Sequence, residues 1–186
     1  MTKGTRENII NAFLRLAFKF PNRSLFSFSE IAAEACIARQ TIYKNHFNNP
    51  EEIISYICSE LNEKLDRALT LCLDNHLNSD PLESFSRHVL PLLFQYRKWL
   101  NILYSTASGS ILRIILKKQC LSWVNDNLEL KSYHLTLPKE MLNDIFVTMI
   151  LATIETWLTQ PMPVPLDVFS SQFLLIFQTQ FQITYK

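Results

Sequence analysis

Apolar residues recur at steps of three and four positions along most of the chain, which is the spacing that places side chains on one face of an α-helix. The pattern is clearest in four segments, which run from Thr5 to Phe20, from Asn49 to about Leu77, from Pro138 to about Leu158 and from Leu166 to Tyr185. Two helix starts carry a further signal, because proline follows a polar capping residue at Asn49-Pro50 and at Asp80-Pro81. The pattern therefore predicts an all-α protein of about nine helices.

The middle of the chain carries shorter or interrupted patterns. Pro91 is expected to kink or end the helix that begins at Pro81, because proline lacks a backbone N–H and clashes with the preceding turn. An aromatic-rich helix is predicted within residues 94–104 and another from Ile111 to Leu128, whereas the polar segment 129–137 is predicted to be irregular. Only two glycines occur in the chain, which disfavours β-hairpins and glycine-rich phosphate loops.

Two short helices separated by a tight turn are predicted within residues 26–47. Ser27 and Glu30 form a capping-box pattern at the start of the first, or supporting, helix. A break at Cys36 precedes the second helix, in which Ile42 points into the core. Other side chains of the second helix are of the types that contact base edges and phosphates in a DNA major groove, namely Arg39, Gln40, Thr41, Tyr43 and Lys44. The segment therefore predicts a helix-turn-helix with a recognition helix.

Charge is distributed unevenly along the chain. Residues 1–47 carry seven Lys or Arg and three Glu, which gives +4. Residues 48–186 carry eleven basic and fourteen acidic residues, which gives −3. The positive charge therefore lies with the predicted helix-turn-helix, as binding to phosphates requires, although +4 is also compatible with an ordinary solvated surface.

The run IAAEACIARQTIYKNHF, with TRENIINAFLRLAF before it and NNPEEIISYI after it, resembles the DNA-binding domain of TetR-type (TetR/AcrR) transcriptional regulators. The resemblance covers the first quarter to third of the chain. It implies a helix-turn-helix DNA-binding domain at residues 1–48 and a C-terminal regulatory and dimerisation domain at residues 49–186. It also implies a phosphate contact from His46. Ser27 and Ser29, at the start of the supporting helix, complete the candidate DNA-binding residues.

The chain departs from the usual family pattern at three places. Cys36 stands where glycine is usual, so a left-handed backbone there is strained by about 1–2 kcal/mol. Ala38 stands where Ser or Thr usually caps the recognition helix, and an alanine cap costs ~1 kcal/mol. The spacing from Tyr43 to Phe47 is one residue longer than usual, and Pro50 stands near the position of a common phosphate-contacting Lys.

The last two predicted helices are apolar on more than one face, which exceeds what one neighbouring core buries. In TetR-type proteins these helices form a four-helix dimer interface, and the resemblance implies the same here. The candidate dimerisation residues are Ile150, Trp157, Phe169, Phe173 and Phe177. The alternative is that both helices lie at the centre of a monomer's own core.

The resemblance implies a homodimer that binds a palindromic double-stranded DNA operator, with repression as the default although activators exist in the family. A small-molecule effector in the C-terminal domain would change the separation of the two DNA-binding domains. Candidate effector-binding residues are His88, Tyr96, Trp99, Tyr104 and Trp123, each of which could instead pack in the core. The alternative function is a ligand-independent DNA-binding regulator or activator controlled by a protein partner.

The sequence lacks the motifs of other function classes. No GxSxG, HExxH or phosphate-binding loop occurs, and the four His are scattered, so we expect neither an enzyme nor a cofactor or metal. The four Cys, at positions 36, 58, 72 and 120, lack CxxC spacing and are expected to be buried structural residues. No signal peptide is apparent, and the apolar run 145–154 is too short to span a bilayer, so a cytoplasmic protein without membrane association is expected.

Overall fold

A computed structural model of the chain describes residues 3–73, 80–107, 109–134 and 136–186. Within these residues the helices are α1 (Lys3–Lys19), α2 (Phe28–Ala35), α3 (Arg39–Asn45), α4 (Glu51–Leu73), α5 (Pro81–Gln95), α6 (Arg97–Tyr104), α7 (Gly109–Asn127), α8 (Lys139–Leu158) and α9 (Leu166–Gln178). Two strands, β1 (Leu128–Ser132) and β2 (Phe181–Tyr185), form one small sheet. The prediction of an all-α protein with about nine helices is confirmed, and the sheet is an addition to it.

The two strands lie in segments that the sequence predicted to be irregular or helical. Segment 129–137 was expected to be irregular, and the last helix was expected to continue to Tyr185, but β1 and β2 pair antiparallel from Leu128 with Tyr185 to Ser132 with Phe181. In both strands burial alternates from residue to residue, which is the period of a strand with one face on a core. The Ile-Thr-Tyr run of β2 consists of residue types that favour strands.

The end of α5 differs from its predicted position, and the predicted end of α4 lies outside the described residues. α5 does not end at Pro91 but continues to Gln95, and the exposed side of the helix holds the proline. α4 reaches Leu73, and the rest of its predicted length, to Leu77, lies outside the described residues.

The chain divides into two compact units. The first consists of Met1–Leu61 and Asn101–Arg113, and the second consists of Asn62–Leu100 and Ile114–Lys186. Three helices, α4, α6 and α7, contribute residues to both units. The predicted domain boundary after residue 48 lies between α3 and α4, and the first unit extends beyond it.

The first unit is built on α1 and α2, which pack against each other. The Asn8 side chain fixes their ends, because its Nδ2 donates to the carbonyl of Ala35 at 2.9 Å. The rings of Phe13 and Phe26 meet edge to face, with centroids 5.7 Å apart. The fully buried side chains of this unit are Ile9, Phe13, Phe26, Ile31, Ile42, Ile53 and Ile57.

Residues 101–113 join the first unit through backbone contacts. The N–H of Ala107 donates to the carbonyl of Pro21, at the end of α1, at 3.0 Å. A side chain at Gly109 would place its Cβ only 2.6 Å from the carbonyl oxygen of Leu103, so glycine is required at this close approach.

The second unit is organised around α9, which buries one face against α5 and α8. Phe169, Phe173 and Phe177 follow one another on that face and contact rings of the two other helices. Phe173 stacks on Phe85 with centroids 5.7 Å apart, and Phe169 stacks on Trp157 with centroids 3.9 Å apart. We call these five residues the aromatic cluster.

The sheet closes one end of the second unit. Leu128, Leu130, Phe181 and Ile183 are its buried side chains, and the ring of Phe181 meets that of Phe146 edge to face. The Tyr185 hydroxyl donates to the carbonyl of Cys72 at 2.7 Å, in the last turn of α4. This bond satisfies one of the carbonyls that a helix leaves without a partner at its C-terminal end.

Candidate nucleic-acid interface

The supporting helix α2 starts at the predicted capping box. The Ser27 hydroxyl accepts from the N–H of Glu30 at 3.3 Å, and the Glu30 carboxylate accepts from the N–H of Ser27 at 2.9 Å. Arg23 also contacts this carboxylate, with 2.8 Å between its Nη1 and Glu30 Oε1. These contacts lower the pKa of Glu30 from 4.5 to about 2, and the hydrogen bond from Arg23 has a larger effect than those from Ser27. The carboxylate is therefore ionised at neutral pH, and the start of α2 is fixed.

The turn after α2 has the left-handed backbone expected at Cys36, with φ 54° and ψ 44°. Among the described residues it is the only residue other than glycine with positive φ. The prediction that all four cysteines are buried is wrong for Cys36, whose position in the turn exposes it. Cys58, Cys72 and Cys120 are buried, and burial raises the pKa of both Cys72 and Cys120 to about 12.

The recognition helix α3 is anchored by one side chain and otherwise faces outward. Ala38 caps it without a side-chain hydrogen bond, as predicted, and Ile42 is fully buried. Of the five residues predicted to contact DNA from this helix, Thr41 is half-buried and the other four are exposed, namely Arg39, Gln40, Tyr43 and Lys44. The helix therefore presents two cations, an amide and a phenol on one accessible surface.

The cations of α3 differ from those of α1 in their partners. Arg15 and Lys19 both bond the carboxylate of Glu34, each at 2.7 Å. Arg39 and Lys44 form no ion pair with any of the residues that the structure describes. Arg39 and Lys44 are therefore available to phosphates, whereas Arg15 and Lys19 are already paired.

The other predicted DNA-binding residues lie at the two ends of this motif. Ser27 and Ser29 are exposed at the start of α2, although the Ser27 hydroxyl is already engaged in the capping box. His46 follows α3 and is half-buried. Burial lowers the pKa of His46, and the nearby charge of Arg6 lowers it further, so the imidazole is neutral at pH 7. Its Nδ1 is buried without a hydrogen-bond partner.

Arg6 is a residue that sequence reasoning missed. Its guanidinium lies over two rings, 5.1 Å from the centroid of Tyr56 and 5.9 Å from that of Phe47. The hydrophobic pattern of α1 assigns position 6 to a polar face and carries no signal for a contact with residues 40 to 50 positions later. Its position beside Phe47, which directly follows His46, makes it a candidate residue of the interface.

No protein-family model matches the chain, and no curated protein sequence matches it. Solved structures do match. NalD of Pseudomonas aeruginosa, the secondary repressor of the MexAB-OprM multidrug efflux pump, is 19% identical with a TM-score of 0.64, over 96% of this chain and 98% of NalD. A TetR transcriptional regulator from Streptococcus agalactiae is 18% identical with a TM-score of 0.59, over 96% of this chain and 94% of that one. A TerR/AcrR-family transcriptional regulator from Aquifex aeolicus is 18% identical with a TM-score of 0.60, over 93% and 99%.

The chain has the TetR-type fold. The likeness extends over both compact units, whereas the sequence resemblance was confined to the helix-turn-helix and its flanks.

The predicted effector-binding residues belong to different parts of the fold. Tyr96 and Trp99 meet edge to face at 5.5 Å, but Tyr104 belongs to the first compact unit, where Arg113 bonds its carbonyl at 3.1 Å. Of the five candidates, which also include His88, only Trp123 lines the apolar cavity of the second unit. Aromatic composition predicts burial but does not say which buried residues border a cavity, so effector binding by these five residues stays a prediction.

The apolar cavity of the second unit has a volume of about 20 Å³. Hydrophobic side chains from α4, α5, α7, α8 and both strands line it, together with the Cys120 thiol and Trp123. The Trp123 Nε1–H is buried without an acceptor. It is therefore the hydrogen-bond donor at the edge of an otherwise apolar space.

The predicted dimerisation residues lie on the inner faces of α8 and α9. Ile150, Trp157, Phe169, Phe173 and Phe177 are all buried within the protomer, and four of them belong to the aromatic cluster, while their role in a dimer interface stays a prediction. The exposed apolar residues lie on the opposite faces of α8 and α9. We call this set the outer face, and it consists of Met141, Met149, Val168, Leu175 and Ile176.

An open groove of about 570 Å³ lies beside the outer face, lined by Ala152, Thr153, Thr156, Trp157, Gln160, Met162, Val164 and Phe169.

By length and composition α8 is a candidate membrane span, although its apolar run 145–154 alone is too short. However, 44% of that stretch is buried inside the protein, as in the core helices of globular proteins.

Proposed function

We propose that the protein is a homodimeric transcriptional regulator that binds a palindromic DNA operator and, by default, represses transcription from it. The observation that carries the proposal is the surface of α3, where Arg39, Gln40, Tyr43 and Lys44 are exposed around the buried anchor Ile42. Solved structures of the same fold are described as transcriptional regulators, and NalD is described as a repressor. Both facts support DNA binding as the activity, and the proposal places the protein in the cytoplasm without a catalytic step or cofactor.

Each exposed residue of α3 has a chemical role in this proposal. Lys44, in the last turn of the helix, supplies charge to a phosphate, whereas the Gln40 amide is able to pair with adenine N6 and N7 in the major groove. Arg39 is able to make the bidentate contact to guanine that is common in such interfaces. Phosphate contacts fix the position of the helix, and base contacts select the sequence.

The outer face of α8 and α9 supports the dimeric part of the proposal. Its apolar residues are exposed in the protomer, and a second copy related by a two-fold axis would cover them. Two recognition helices would then enter successive major grooves about 34–36 Å apart, so the operator has two inverted half-sites.

A small-molecule effector is proposed to act on the second unit. A cavity of about 20 Å³ holds little more than one water molecule, whereas ligand pockets measure roughly 300–1,000 Å³. An effector must therefore select a state in which the lining side chains have moved, and it shifts DNA binding only by its difference in affinity for the two states. The small cavity equally favours the second candidate function, a DNA-binding regulator controlled by a protein partner.

A thermal-shift screen against metabolites and drug-like compounds separates the two candidates. A specific effector present at 100 times its Kd is expected to add ~2.7 kcal/mol to the free energy of unfolding. This corresponds to a Tm increase of roughly 5–11 °C for a chain of this length. The increase is expected to shrink in Trp123→Phe, which removes the indole N–H at the cavity, and to persist in Tyr96→Phe, which lies elsewhere. A complete absence of hits would favour the protein partner.

Selection of binding sites from genomic DNA, followed by substitution in α3, tests the proposed activity. Lys44→Ala is expected to weaken binding to every sequence and to reduce the salt slope by ~1, because it removes one phosphate contact. Gln40→Ala is expected to cost ~1–3 kcal/mol at a single base position and to relax specificity there. Fluorescence anisotropy with the selected operator and its single-base variants measures both effects.

Lys118→Ala is the control, because Lys118 is an exposed cation on α7 in the second unit. Its operator binding should match that of the unsubstituted protein. Unchanged operator binding in both α3 variants would show that another element contacts the DNA.

A further inference from the structure

Arg6 of α1, whose guanidinium lies over Phe47 just beyond α3, is a cation that no described carboxylate neutralises. Arg6 forms no ion pair or hydrogen bond with any described residue, and its Nε is buried without a partner. By contrast, Arg15 on the same helix is paired with Glu34 at 2.7 Å. The carboxylate of Glu52, in the first turn of α4, accepts instead from the N–H of Asn48 at 2.8 Å and not from Arg6. A partly buried guanidinium without a counter-charge is costly unless an anion completes it.

Two aromatic rings hold the guanidinium of Arg6 in place. It lies 5.1 Å from the Tyr56 centroid and 5.9 Å from that of Phe47, and these two rings meet each other edge to face at 5.9 Å. Stacking of this kind fixes the plane of a guanidinium and leaves its edge able to donate. The terminal nitrogens of Arg6, unlike Nε, are not buried, so the accessible edge is the one that carries the N–H donors.

His46 directly precedes Phe47, one of the two rings that this guanidinium contacts, and the charge of Arg6 acts on its imidazole. Its Nδ1 is buried without an acceptor, whereas Nε2 is not buried in this way. A buried N–H without a partner is costly, so the neutral ring carries its proton on Nε2. The accessible nitrogen of His46 is therefore a hydrogen-bond donor.

We propose that Arg6, from α1, binds the same backbone phosphate of DNA that His46 is predicted to contact, at the C-terminal end of the recognition helix. The inference rests on the proposed DNA-binding function and assigns to it a contact from α1. The charge of Arg6 releases a counterion when the phosphate binds, and His46 adds a hydrogen bond from Nε2. Because Phe47 immediately follows His46 and lies under Arg6, the same contact also fixes the register of α3 on the DNA backbone.

The salt dependence of DNA binding tests the phosphate contact. Fluorescence anisotropy with a labelled mixed-sequence duplex is sufficient, because phosphate contacts carry no sequence information. Arg6→Gln is expected to reduce the slope of log K against log salt by ~0.9 and to weaken binding about eight-fold at 0.1 M salt. Arg6→Lys is expected to keep the slope, because it keeps the charge. His46→Phe, which keeps a ring, is expected to weaken binding roughly ten-fold with little change in slope.

Arg15→Gln is the matched control, because it removes the same charge from the same helix at a residue that is already paired. Circular dichroism and Tm confirm that each variant is folded, and Arg6→Lys and His46→Phe keep the test open if Arg6→Gln does not fold. An unchanged slope in Arg6→Gln overturns the inference, as does an equal loss of slope in Arg15→Gln. If the unsubstituted protein binds no duplex at any salt concentration, the proposed function fails as well. The two failures are therefore distinguishable.

Discussion

Replacing Leu175 and Ile176 together with aspartate is expected to convert the proposed dimer into a monomer and to abolish tight operator binding. Both side chains lie on the outer face, where 59% of Leu175 and 44% of Ile176 are exposed in the protomer. Two-fold symmetry would place four new carboxylates in one apolar interface, and a buried charge without a partner costs several kcal/mol. A monomer contacts one half-site only and so loses the ~10²–10⁴-fold gain of simultaneous binding.

Sedimentation equilibrium measures the dimer, and anisotropy with the full operator measures the binding. Leu71→Asp is the control, because Leu71 is similarly exposed, at 48%, but lies on α4 away from the outer face. This variant should remain dimeric and bind the operator normally. A dimer that survives both substitutions in α9 would move the interface to another surface.

Phe173→Ala is expected to destabilise the protomer itself by about 3–5 kcal/mol, the usual cost of removing a buried phenylalanine ring. Phe173 is fully buried in the aromatic cluster and contacts the rings of Phe85, Phe169 and Phe177. For a chain of this length the loss corresponds to a Tm decrease of roughly 6–20 °C. Thermal unfolding followed by circular dichroism measures the change.

Leu175→Ala provides the comparison for Phe173→Ala. Its side chain is mostly solvated in the protomer, so the unfolding of the monomer at low protein concentration should change little. Phe173→Ala, below its Tm, should still sediment as a dimer. A folded, stable monomer formed by Phe173→Ala would support the prediction that this residue belongs to the subunit interface.

The helix-turn-helix was predictable because its signals are local. Ser27 and Glu30 are three residues apart, so their capping box is visible in the sequence and is confirmed by the structure. The left-handed turn at Cys36 and the uncapped start at Ala38 were likewise expected from positions next to the helices they affect. The buried anchor Ile42 follows from the same helical spacing.

The two faces of α9 could not be assigned from the sequence. Phe173 and Leu175 are both strongly apolar, and helical spacing shows that they lie on different sides without showing which side meets the protomer's own core. The decision depends on Phe85, a residue of α5 that is distant in the sequence and stacks on Phe173. The same limit explains why Arg6, whose partners Phe47 and Tyr56 lie on other elements, was not selected as an interface residue.

The prediction that the last helix continues to Tyr185 was wrong for a related reason. The apolar residues Phe181 and Ile183 continue the count of a hydrophobic helix, and only their pairing with β1 makes them a strand. Short apolar segments are compatible with either structure, and the neighbouring chain decides between them.

The pairing of β1 with β2 has a consequence for the newly made chain. During synthesis the backbone of β1 emerges well before that of β2, because α8 and α9 lie between them. The carbonyl of Cys72 lacks its hydrogen-bond donor for longer still, because that donor, Tyr185, follows 113 residues later. Until then a nascent polypeptide on the ribosome carries an open strand edge, which is a template for association with neighbouring nascent chains.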